Sequence, residues 1–442
     1  MRNVSRAVCM IALAASVAGC GIFKGSNKPK TAVLGERIPV LATQNDAEVD
    51  PSLSETQVTL PAATVNADWA QPGGNATKSM GHPALGLSPV RVWSAHIPKS
   101  TPQRRFGAAP VIANGHLYVM DAEGVVHAFS LDTGAQVWKQ GFGGEKKKDR
   151  GALFGGGVTF DDGKLYAVNG LGDAVAMEAA TGKQLWKVRP GGPLRGAPTV
   201  GLGNVYVVTQ DNQIFALKTE NGETAWTDSA TLEAAGVFGV AAPALGRGTV
   251  VAGFSSGELS ALRYENGRVI WQDQLARTSI TTSVASISDI DASPVIDSDR
   301  VYAIGEGGRM VAMDLLAGQR LWELNVGGGE TPWIVGDWLF VVTDEAKLLC
   351  VSRATGKVRW MTQLERFRNK KKRENPIEWS GPVLAGGRLW VVSDKGEIIG
   401  IQAVDGVIRD RLKGSGPFQL APIVANNMLV TMDRKGTITA YR

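Results

Sequence analysis

Apolar positions along most of this chain fall in short runs of three to six residues, alternating or continuous, cut by turn residues. PVIAN, HLYVMD, VVHAFS and QVWKQ form the first set, separated by Asn114-Gly115, Glu123-Gly124 and Asp132-Thr133-Gly134. Runs this short predict β-strands, and the turn residues predict tight antiparallel connections. The set then recurs. With Pro110, Val158, Pro198, Pro243, Pro294, Pro332, Pro382 and Pro422 as position zero, a small residue stands eighteen positions on in every copy: Ala128, Ala176, Ala216, Ala261, Ala312, Cys350, Gly400 and Ala440. Glycine stands at plus twenty-four in the first seven, from Gly134 to Gly406. Tryptophan stands at plus twenty-eight in six of those seven, from Trp138 to Trp360, with Asp410 in the other.

Units of about 40 to 50 residues with four strands each are the size of propeller blades. The eighth copy stops after its third strand, and Pro89-Val90-Arg91-Val92-Trp93 reads like the fourth strand of the others. The expected fold is therefore all-β: an eight-bladed propeller of four-stranded antiparallel blades over 67–442, its ring closed by an N-terminal strand. The small plus-eighteen residue leaves room for a bulky neighbour, and the plus-twenty-eight Trp of the same or an adjacent unit is the expected one. The fixed register of these tryptophans predicts packing wedges rather than ligand platforms. Trp69, Trp333, Trp338, Trp379 and Trp390 lie off it and are the candidates for surface or channel contacts.

The N-terminus breaks the pattern. Arg2 and Arg6 precede the apolar run AVCMIALAASVAG, as in a secretory signal, here expected over 1–19. Val17-Ala18-Gly19-Cys20 resembles a bacterial lipobox, which implies acylation of Cys20; Gly21, not Asp, follows, resembling an outer-membrane sorting signal. Residues 20–66 are rich in Pro, Thr, Ala, Asn and Gln without apolar periodicity, and are expected to form a flexible tether.

Composition narrows the chemistry. Four histidines in the first third and three cysteines (Cys9, Cys20, Cys350) leave no disulfide framework and no four-sulfur zinc site. The net charge of +5 is local, since 145–150 carries +2 and 365–374 carries +4. Export makes nucleic acid an improbable partner for these two insertions. They read as solvated loops or as surfaces drawn to anionic headgroups or an acidic partner.

The element Ala-x5-Gly-x3-Trp resembles the docking motif of the pyrroloquinoline-quinone dehydrogenases and their eight-bladed relatives, and Trp69-Ala-Gln-Pro-Gly-Gly-Asn75 resembles that superfamily's opening. Together with the lipobox, the pattern is similar to the BamB family of outer-membrane protein assembly lipoproteins. That resemblance implies a scaffold without catalytic activity or cofactor, held at the outer membrane with its propeller in the periplasm. The implied partners are the POTRA domains of BamA, other members of the assembly complex, and unfolded outer-membrane protein clients. It also implies partner contacts by Asp289 and Asp291 in Ser288-Asp-Ile-Asp-Ala-Ser-Pro294, which share one side if the segment is extended. Turn capping at a strand start is the other reading of the pair. A second family loop carries leucines and an arginine; here Ala235-Gly-Val-Phe-Gly239 offers Val237 and Phe238 and no arginine. A periplasmic quinoprotein dehydrogenase is the alternative. It would call for adjacent cysteines and calcium ligands, whereas Cys350 is alone at a small-residue position and no Cys-x-x-Cys-His occurs.

Overall fold

The computed structural model describes residues 47–101, 104–143, 155–232, 241–275 and 289–442. Cys20, Val237, Phe238 and the basic run 145–150 lie outside them. Eight four-stranded antiparallel sheets follow one another along the chain: 111–141, 156–188, 199–229, 244–274, 295–324, 333–363, 379–413 and 423–441. The last holds three strands of its own, and its fourth is Arg91–His96, paired antiparallel with Thr437–Tyr441. Ring closure by the N-terminal strand is as the sequence implies. We number these sheets blades 1 to 8. Among the described residues no helix is long and apolar enough to cross a membrane.

One row of side chains explains the repeat. In blade 1, Tyr118 pairs with Ala128, and Ala128 with Trp138, so the methyl group in the middle lets the indole lean over to the phenol, with ring centroids 6.0 Å apart. The small residue faces the tryptophan of its own blade in every such case, including Ala440 with Trp93 across the closing seam. The indole Nε1–H then donates to a backbone carbonyl of the next blade, at 2.8–3.1 Å in all seven cases from Trp93 to Trp360. The same ring lies on that blade's plus-twenty-four glycine. These glycines hold φ of about +70°, and a Cβ on any of them would come within 2.4–2.8 Å of the indole or its neighbour. The glycine is required twice, by backbone conformation and by contact. The off-register tryptophans are all buried, and Trp69 and Trp333 stack on each other, centroids 6.0 Å apart.

The innermost strand of each blade presents an unpaired edge to the axis, a cost that must be met by hydrogen bonding. Residues 66–83 meet it by circling the ring. Asn66 O accepts from Asn426 N in blade 8, and Trp69 exchanges both backbone bonds with Ile112 in blade 1. Ala70 O, Ala76 O, Thr77 O and Pro83 O accept from Phe160, Leu245, Ile296 and Gly386 in blades 2, 4, 5 and 7. The side-chain amide of Gln71 replaces a peptide unit against Val200 in blade 3, at 2.9 and 3.0 Å. Gly81 O accepts from the Trp333 indole in blade 6. This belt crosses the ring at the end of the first strands, and among the described residues no segment crosses the opposite mouth in the same way.

Part of the segment expected to be tether is ordered against the blades. Residues 47–65 already lie along the propeller: Val49 bridges Val358, Asp50 N donates to Val358 O at 2.9 Å, and Arg359 Nε donates to Thr56 O at 2.7 Å. Their strand-edge pairing needs no apolar repeat, and among them only Ala47 and Val58 are buried apolar side chains.

Candidate functional site

The mouth away from the belt is lined by the described parts of the loops that lead into the first strands. The loop before blade 3 makes a close approach: Gly156 N donates to Arg195 O, beside Gly155 at φ +97°. Arg195 is thereby fixed, and its guanidinium reaches the loop before blade 5. One nitrogen, Nη2, donates to Asp289 Oδ1 at 2.9 Å and to Asp291 Oδ1 at 3.0 Å. Between the aspartates, Ile290 turns the other way into the core, and its N–H donates to Phe254 O. The two carboxylates do share a side, as alternation predicts, but what they meet is an arginine of the same chain.

Burial separates the pair. Asp289 is 0% exposed, whereas the Asp291 side chain keeps 12% of its surface in a recess. That recess, about 390 Å³, is lined among others by Asp291, Glu306, Glu330, Asp344, Glu378 and Gln419. Four of these carboxyl groups, those of Asp291, Glu306, Glu330 and Asp344, hold their protons more tightly than an ordinary carboxyl. Burial, then the neighbouring acids Asp291, Asp344 and Asp289, push Glu306 well above the usual carboxylate range; burial and Asp289 raise Asp291, against the pull of Arg195. Burial lifts Glu330 to about 7, although its carboxylate accepts from Gly381 N at 2.9 Å.

A carboxyl whose folded pKa is raised contributes stability that is present below its unfolded value, near 4, and lost as pH climbs through the folded value. Glu306→Gln keeps a donor toward Asp291 and cannot ionise. It should raise the melting temperature at pH 8, by on the order of 1 kcal/mol of stability, and leave it nearly unchanged at pH 4. Melts across that range check it, and equal shifts at both ends would show that ionisation is not the cause.

The basic hairpin Phe367–Asn369 and Glu374–Pro376 is half neutralised where it stands. Arg366 pairs with Glu345, Arg368 with Asp394, and Lys370 with Glu365, which also holds Lys395 at 2.7 Å. Lys371, Lys372 and Arg373 remain exposed. Among the described residues, no group of three His, Cys, Asp or Glu is placed to hold a metal ion. Cys350 is fully buried, and that burial pushes its thiol up, away from reactivity.

Sequence reasoning missed Arg195, although a signal existed. Counting back three positions from each position zero gives Arg195 in unit 3, Asp291 in unit 5 and Gln419 in unit 8, and all three side chains converge on this mouth.

The sequence model described as "Outer membrane protein assembly factor BamB" matches residues 90–149, 122–362 and 365–442. The chain belongs to the BamB family. A BamB of Yersinia pestis is 27% identical over 362 residues, covering 80% of this chain and 89% of its own. The crystal structure of BamB from Moraxella catarrhalis superposes with a TM-score of 0.67 at 19% identity, over 80% of this chain and 99% of that one. A europium-containing methanol dehydrogenase superposes with a TM-score of 0.68 at 14% identity, over 83% and 90%, a likeness of fold alone.

Proposed function

We propose that the chain is a non-enzymatic accessory factor of outer-membrane protein assembly, anchored in that membrane by acylated Cys20 with its propeller in the periplasm. Membership of the BamB family over most of the chain carries this reading. Its docking face for the POTRA domains of BamA is the acidic mouth. Asp291, next to Arg195 and still partly exposed, is the contact point, and Asp289 acts behind it by holding Arg195 in place. Val237 and Phe238, which lie outside the described residues, are the proposed apolar contacts. An acidic concavity suits basic groups of a partner, because removing paired charges from water at an interface strengthens their attraction. Other assembly-complex members and unfolded outer-membrane proteins complete the set of partners.

Two measurements test it. Mass spectrometry of the mature protein should find cleavage before Cys20 and acyl groups on it; an unmodified N-terminus elsewhere removes the anchor. Asp291→Lys should weaken binding to purified POTRA domains by about tenfold or more while the protein stays folded, its melting temperature lowered far less than by Asp289→Lys. Unchanged affinity would place the docking face elsewhere.

A further inference from the structure

The belt does more than cross the ring: it carries Lys78 into the axial channel. Lys78 is 2% exposed, at φ +66°, and its Nζ donates to Thr199 Oγ1 at 2.9 Å. An ammonium has three N–H donors, and among the described residues no carboxylate pairs with this one. Burial alone lowers its pKa to about 7.

The space it lines is an axial cavity of about 150 Å³, walled by Trp69, Trp333 and the position-zero prolines Pro110, Pro332, Pro382 and Pro422. A dry cavity of about this volume admits a molecule the size of benzene. Lys78 is fixed to blade 3 through Thr199, and Glu330 to blade 7 through Gly381 N. Four blades separate these in a ring of eight, so ammonium and carboxyl stand on opposite walls. Glu330 also lines the acidic recess, so one carboxyl borders both spaces.

We propose that this cavity binds a small zwitterion, of the linear amino-acid class, with its carboxylate on Lys78 and its ammonium on Glu330. A plain carboxylate would meet Lys78 equally well but would have to pass Asp291 and Asp344, whose charges oppose it once pH exceeds about 6. A plain amine would pass and leave Lys78 short of acceptors. A molecule carrying both charges and no net charge satisfies both walls, and its short methylene chain suits the proline and tryptophan lining. Binding protonates Lys78 and ionises Glu330, so proton uptake and release nearly cancel.

The test uses the full purified chain and the linear ω-amino acids from glycine to 6-aminohexanoate, each beside the alkanoate and alkylamine of equal length. Calorimetry gives affinities, and a change in intrinsic tryptophan fluorescence that Trp333→Phe removes gives an independent signal from the Trp69–Trp333 stack. Affinity should peak at one length and there exceed both single-charge analogues by about tenfold or more. Lys78→Met, which removes a buried charge and is expected to fold, should bind the alkylamine as well as the amino acid; Glu330→Gln should do the same for the alkanoate. Absence of saturable binding at about 10 mM, affinity indifferent to length, or a Lys78→Met variant that behaves as wild type would each overturn the site. If Lys78→Met fails to fold, Glu330→Gln and the wild-type length series decide.

Discussion

Asp289→Lys should unfold the acidic mouth rather than merely weaken a partner contact. Asp289 is wholly buried, 2.9 Å from Arg195 Nη2, and the substitution leaves two cations facing each other, both side chains closed off from solvent. Removing one partner of a buried pair costs roughly 3–5 kcal/mol, and repulsion adds to that. A clear fall in melting temperature is expected, much larger than for Asp291→Lys, where Asp289 still holds the arginine. Replacing both partners at once, Arg195→Met with Asp289→Leu, should recover most of the loss, since an apolar pair of similar volume leaves no wholly buried orphan charge and Asp291, which also loses the arginine, keeps part of its surface exposed. A melt for Asp289→Lys equal to wild type would mean that the loop before blade 5 repacks freely and that the pair is not structural. The comparison also decides how to read binding data. The sequence alone treats the two aspartates alike, so a double substitution seems a clean probe of the partner face; with the structure in hand only Asp291 is one.

The repeat was legible because it is a packing constraint. A tryptophan that must clear a small residue in its own blade and land on a glycine of the next leaves three fixed positions in every unit, and the spacing survives whatever is inserted between blades. Even the exception follows. Asp410 replaces tryptophan in blade 7, and the blade it faces takes its fourth strand from Arg91–His96, so no glycine turn joins that blade's last two strands. With nothing to dock on, the position turns inward as a carboxylate that accepts from Arg388 Nε at 2.9 Å. The belt was illegible for the opposite reason. Each of its residues meets a different blade, mostly through backbone atoms, so neither periodicity nor residue type marks it, and only the Trp69-to-Asn75 opening resembled anything. Arg195 fell between these cases: its loop position repeats, but its chemistry occurs once.

Gly318→Ala should be among the most damaging single-methyl additions in the molecule, and its cost can be divided. Gly318 has φ +68°, and a Cβ there would sit 2.4 Å from the Trp271 ring, whose Nε1 donates to Leu315 O at 2.8 Å. Gly115 has nearly the same backbone, φ +73°, with nothing within 4 Å of the added carbon. Gly115→Ala therefore measures the left-handed conformation alone, about 1–2 kcal/mol. Gly318→Ala adds displacement of a buried indole and its hydrogen bond, for a total of roughly 3–5 kcal/mol. The two parts separate in a cycle with Trp271→Ala. Once the ring is gone, Gly318→Ala should cost no more than Gly115→Ala, so the double mutant should be more stable than the sum of the singles by about 2 kcal/mol. Additivity in that cycle would mean that glycine and tryptophan share a register without sharing energy, and the docking account of the blade repeat would fail with it.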